Sequence, residues 1–149
     1  MQYARLSGFS RALGGMRASI EELRTDVRAR LEAASARSAA RQDEAALQCG
    51  RQALRDAMRL FEAERAGEHL HLYLLALRGV AVSALITGRL EEGRMAVATA
   101  LVNVEIGLRY WPDAPPLLEE QALLRGLEAR VGPGTVHVSD QMGHWPFTD

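Results

Sequence analysis

Residues 77–100, LRGVAVSALITGRLEEGRMAVATA, decide the fold. An apolar run from Leu77 to Ile86 is broken at Thr87-Gly88. A second run follows, in which Gly93, Ala96 and Ala100 step by three and four. A glycine inside a helix costs about 1 kcal/mol relative to alanine, so Gly93 in such a run reads as a close helix crossing. The same pattern occurs earlier. Shifted by 43 residues, Leu47, Gly50, Arg51, Ala53, Ala57 and Glu62 fall on Leu90, Gly93, Arg94, Ala96, Ala100 and Glu105. A second echo, at an offset of 47, sets Leu77-Arg78-Gly79 against Leu124-Arg125-Gly126, the extra residues lying in the Trp111 to Pro116 connection. Self-similarity at such a period is the signature of a stacked repeat array.

Working outward, no proline precedes Pro112 and strand-like alternation is nearly absent, so the chain reads as all-α. Breaks near 38–43, 67, 88, 111–116 and 132–134 leave five helices, at about 3–40, 43–66, 68–87, 89–110 and 116–131. Asp43 is a candidate N-cap, and Asp113 with Pro115 marks the start of the last helix. In the first helix, Leu6, Phe9, Leu13, Met16, Ile20, Leu23 and Val27 form a heptad stripe that faces either the second helix or a second copy of the chain. For the second case the dimerisation residues are Leu6, Leu13, Ile20 and Val27. Three parts follow: an N-terminal capping or dimerisation helix over 1–42, helical repeats over 43–131, and an irregular tail over 132–149 with at most a short strand at 135–138.

Leu77 to Ala100 resembles a tetratricopeptide repeat (TPR), in which two antiparallel helices cross at small residues. With Gly88 at the turn, Leu77 and Val80 occupy large apolar positions and Ala81 the small position of the first helix. Leu90 opens the second helix, Gly93 and Ala100 take its small positions, and Val97 sits between them. Leu77 and Ala84 replace the family's usual aromatics, and the closing proline is delayed to Pro112. The long second helix is similar to the class of repeats in kinesin light chains and bacterial sensor-regulators. The resemblance spans about residues 44–131 and implies a TPR-like array of antiparallel helical hairpins (an α-α superhelix) of about two and a half repeats. It also implies a concave groove for peptides, lined by Leu75, Arg78, Val82 and Leu85, with Tyr73 and His69 nearby and Arg125 in Arg78's place one unit on. Two arginines in register would clamp a carboxylate or phosphate. Alternatively they pair with Glu119, Glu120 or Glu128.

Composition bounds the function. A formal net charge of -1 with no lysine argues against nucleic acid as a partner. One cysteine, Cys49, permits no internal disulfide and fits a reducing cytoplasm, its thiol reading as buried beside Gly50. The apolar stretch 70–88 has the length of a membrane span, yet Arg78 at its centre favours a buried core helix and no membrane. No signal peptide opens the chain. His69 and His71 point apart on a helix and read as surface or boundary residues, no E-x-x-H or H-E-x-x-H occurs, and no glycine-rich phosphate loop follows a strand. Neither metal, cofactor nor catalysis is expected. Residues 1–65 carry twelve arginines against nine acids, and 66–149 six against ten. The basic half could meet an acidic partner or a phosphate backbone, but such a split more often reads as a solvated face or as attraction between the two ends. The expectation is a cytoplasmic protein- or peptide-binding adaptor, the alternative a small-ligand or signal-peptide sensor acting through a partner chain. The tail, with Met142, Trp145 and Phe147, either caps the array or enters its groove.

Overall fold

A computed structural model describes residues 2–136, with side chains from residue 19 onward. The described residues form an all-α array of five helices: α1 (Gln2–Ala39), α2 (Asp43–Ala63), α3 (Gly67–Ile86), α4 (Leu90–Tyr110) and α5 (Pro115–Val131). Connections of three or four residues force each helix to run back along its predecessor. The α1–α2 turn places Arg41 in the left-handed region (φ 60°), and the α3–α4 turn does the same with Gly88 (φ 84°), where glycine carries no steric penalty.

Local chemistry explains most ends. Asp43 and Glu44 stand in the first turn of α2, where carboxylates favour the positive end of the helix dipole, but Gln42 holds the cap position and makes no side-chain cap bond. Asp43 is therefore the first helical residue and not the cap expected from sequence. Pro115 opens α5, as a residue with no N–H to satisfy should. Helix α2 stops at Ala63, three residues early, because Glu64 turns extended.

Each helix packs on its chain neighbours, and α1 also meets α3, as α3 meets α5. α3 is thus the central element. It is the one helix among the described residues long and apolar enough to cross a membrane, and most of its residues are buried inside the protein. Arg78 in its middle is paired, as described below. The core is Leu47, Leu60, Phe61, Leu70, Tyr73, Leu74, Val97, Val104, Leu117 and Leu124, with Phe61 stacked on Tyr73 at 6.2 Å between ring centroids. Val27 is fully buried in this core, and Ile20, Leu23 and Leu31 pack against it. This half of the heptad stripe therefore binds inside the chain, which removes Val27, and most of Ile20, from any contact with a second copy. Leu6 and Leu13 lie outside the described side chains.

The 43-residue repeat has a physical counterpart. Gly50 and Gly93 are both buried at crossings with α3: a Cβ on Gly50 would lie 3.3 Å from Val80 Cγ2, and one on Gly93 only 2.6 Å from Leu85. Ala57 and Ala100 are fully buried. Leu90 departs from its partner Leu47, since it is about half exposed where Leu47 is buried.

Charged pairs stitch helices two apart. Arg51 on α2 holds Glu92 on α4 through Nε–Oε2 at 2.8 Å and Nη2–Oε1 at 2.5 Å, and Arg89 ahead of α4 reaches Glu44 on α2. The hydrogen-bonded Arg51 guanidinium holds the Glu92 carboxyl below the usual carboxylate range, and the pair raises the arginine in turn. Arg28 on α1 pairs with Glu68 on α3. The basic first half thus finds several of its partners in the acidic second half.

Candidate functional site

α1 after Leu31 offers α3 no large apolar side chain: Ala34, Ser35, Ser38 and Ala39 face it. On α3 the opposing positions are Leu75, Gly79 and Val82, and beneath them Gly50 of α2 has no side chain. Two helix faces that cannot fill the space between them leave a cleft. Its volume is about 620 Å³, within the range of ordinary ligand sites. Gly79 stands open on its wall, with nothing within 4 Å of where a Cβ would be.

Two charged residues line the cleft, Glu32 on α1 and Arg78 on α3. Arg78 is committed. Its Nε lies 2.9 Å from Glu120 Oε2 and its Nη2 2.8 Å from Oε1, a two-bonded fork to a carboxylate on α5 whose side chain is only 4% exposed. A carboxylate taken that far from water requires a matched cation, and the fork geometry supplies it. Together the pair contributes no net charge. Glu32 is exposed and makes no ion pair among the described residues.

The expected groove residues separate. Leu75, Arg78 and Val82 line the cleft. Leu85 does not: its side chain lies over Gly93 and fills the α3–α4 crossing. Tyr73 is fully buried and stacked on Phe61, so it belongs to the core. Arg125 is exposed on α5, lines no part of the cleft, and does not converge with Arg78, whose guanidinium is turned to Glu120. The two arginines form no clamp.

His69 also differs from the surface or boundary residue expected. It is fully buried, with Nδ1 2.8 Å from the Glu64 carbonyl oxygen. Its Nε2 accepts from Arg24 Nε at 3.2 Å and stands 3.0 Å from Arg24 Nη2, tying α1 to α3. The ring is therefore a structural link between α1, the α2–α3 connection and α3. Cys49 is half-buried rather than buried. Among the described residues no three His, Cys, Asp or Glu side chains gather as a metal site would require.

Sequence reading passed over the α1 wall and Glu32. The available signal was the run from Ala33 to Ala40, which has no large apolar residue on a helix otherwise striped with them.

No protein-family model, curated protein sequence or solved structure matches the chain.

Proposed function

We propose that the protein is a cytoplasmic, non-catalytic adaptor of TPR-like construction that binds a peptide or protein segment in the cleft between α1 and α3. The observation that carries this reading is the cleft itself, about 620 Å³ between two helices that touch without filling the space between them. Its lining is mixed apolar and hydroxyl: Leu31, Leu75 and Val82 with Ser35, Ser38 and Ser83. Such a lining suits apolar side chains flanked by a few hydrogen bonds. The contacts of α3 with both α1 and α5, and the small residues at the α2–α3 and α3–α4 crossings, support the TPR-like part of the proposal. A sensor reading would draw on Tyr73, Arg78 and Arg125 around one pocket, and these three residues are dispersed.

The test is selection of a displayed random 16-residue peptide library on the full chain, followed by affinity measurements on Gly79→Trp. Peptides bound in the cleft should lose at least tenfold in affinity to that variant. Selected peptides that bind it as tightly as the parent would overturn the assignment.

A further inference from the structure

The charge in the cleft is the reverse of a carboxylate clamp. Arg78 is already neutralised by a buried carboxylate, which among the described residues leaves Glu32 as the uncompensated charge on the lining. Opposite it are the open Gly79 and the small Ala76 and Ser83, which let a partner's backbone come close to α3. The cleft runs along residues 31–39 of α1 and 75–83 of α3, about 12 Å or a little over two helical turns.

From this we infer that the occupant is the apolar face of an amphipathic helical segment of a partner protein, carrying one Lys or Arg positioned to meet Glu32. Acidic segments are disfavoured: they would face Glu32 directly and find no free cation in Arg78. The guanidinium still has Nη1, which enters none of the three bonds to Glu120. It serves as a donor to a main-chain carbonyl of the segment, an acceptor with no net charge. Recognition thus combines apolar burial, one peripheral ion pair and one carbonyl contact, a helix-in-groove mode. The inference rests on the adaptor reading of the same cleft and specifies its partner.

The experiment uses fluorescein-labelled 15-residue peptides with Leu at i, i+3, i+4 and i+7. The position flanking the stripe is Lys, Gln or Glu, and a scrambled sequence serves as control. Anisotropy titrations are run on the full chain, on Glu32→Lys, and on two cleft-filling variants, Gly79→Trp and Ser35→Trp. The second filler keeps the test valid if the first fails to fold. The Lys peptide should bind about fivefold more tightly than the Glu peptide, as an exposed pair allows, and less so at high salt. Glu32→Lys should reverse the order, and both fillers should abolish binding. Equal binding of all three charges, lost in the fillers, would overturn the inference and leave the adaptor reading standing. No binding above the scrambled control would overturn both. Self-association that the fillers abolish would assign the cleft to a second copy. Binding seen only after Trp145→Ala would assign it to the chain's own C-terminal segment. Either result would displace the partner proposed here.

Discussion

Arg51 and Arg94 stand at the same place in successive repeats and end on different partners. Arg51 forks onto the Glu92 carboxylate of α4, while the Nε of Arg94 donates to the main-chain oxygen of Val131, 2.6 Å away at the end of α5. The first is a charged tie between helices two apart. The second secures the end of the array to a group with no net charge.

The Arg51–Glu92 tie gives stability a defined pH dependence. The Glu92 carboxyl is held low when folded, by its hydrogen bonds from Arg51, and relaxes to about 4.5 when unfolded. Its contribution is therefore complete above that unfolded value, and it is lost as pH falls through the lower folded value. Both side chains are about a third exposed, so solvent screening limits the tie to roughly 0.5–1 kcal/mol. Urea midpoints for wild type and Glu92→Gln should differ by that amount at pH 7 and draw together as pH falls below the unfolded value and through the lower folded one. A gap of the same size at every pH down to the acid limit of folding would show that packing, not charge, explains the variant's loss.

Two glycines of the α3–α4 hairpin, Gly93 inside its crossing and Gly79 on the open cleft wall, should respond in opposite directions. Gly93→Leu must displace Leu85 and Ala81, and should cost about 1–3 kcal/mol by overpacking. Gly79→Ala meets nothing within 4 Å and should be neutral or stabilising by about 0.5–1 kcal/mol, because it restores helix propensity. Thermal melts of the two single variants decide the matter. A Gly93→Leu chain as stable as wild type would remove the close crossing.

Arg78 and Arg125, equivalent in sequence, should behave unlike each other. Arg78→Met leaves the buried Glu120 carboxylate alone and should cost about 3 kcal/mol or more, most of it recovered when Glu120→Leu is added. Arg125→Glu, at an exposed position with no ion pair among the described residues, should stay within about 0.5 kcal/mol of wild type. A double-mutant cycle at 78 and 120 measures the coupling directly.

Val27 should report on α1 docking within the chain. Val27→Ala removes fully buried methyl groups and should cost about 1–2 kcal/mol at a protein concentration low enough to exclude association. An effect that appeared only at high concentration would return the seam to a contact between copies.

The helix count, and most ends to within a residue or two, were legible because breaks at Gly88 and Gly132 and the proline at the start of α5 punctuate the sequence. The repeat register was legible in Gly50 and Gly93, since small residues at crossings leave a mark in any sequence. The end of α2 was not, because nothing near Ala63 forbids another helical turn. The site was half legible. The TPR resemblance put Leu75, Arg78, Val82 and Leu85 on one groove; the first three line the cleft, and Leu85 does not, because the Gly93 crossing draws that leucine the other way. The partner of Arg78 remained open among three glutamates, since burial singles out Glu120 and burial is a property of packing. Glu32 acquires its role from what is missing across the cleft, and periodicity records only what is present.

The carbonyl contact of Arg94 has a bearing on how long such an array can grow. A guanidinium satisfied by a backbone oxygen can be transferred to a carboxylate without leaving a buried charge behind. The last stitch is therefore exchangeable. Duplicating one 43-residue unit after α5 would present Arg94 with a copy of Glu92 at the spacing at which Arg51 now meets its own. Nothing in α4 would need to change to accept it. By this relationship the interior of the array is a tile that a designer can multiply.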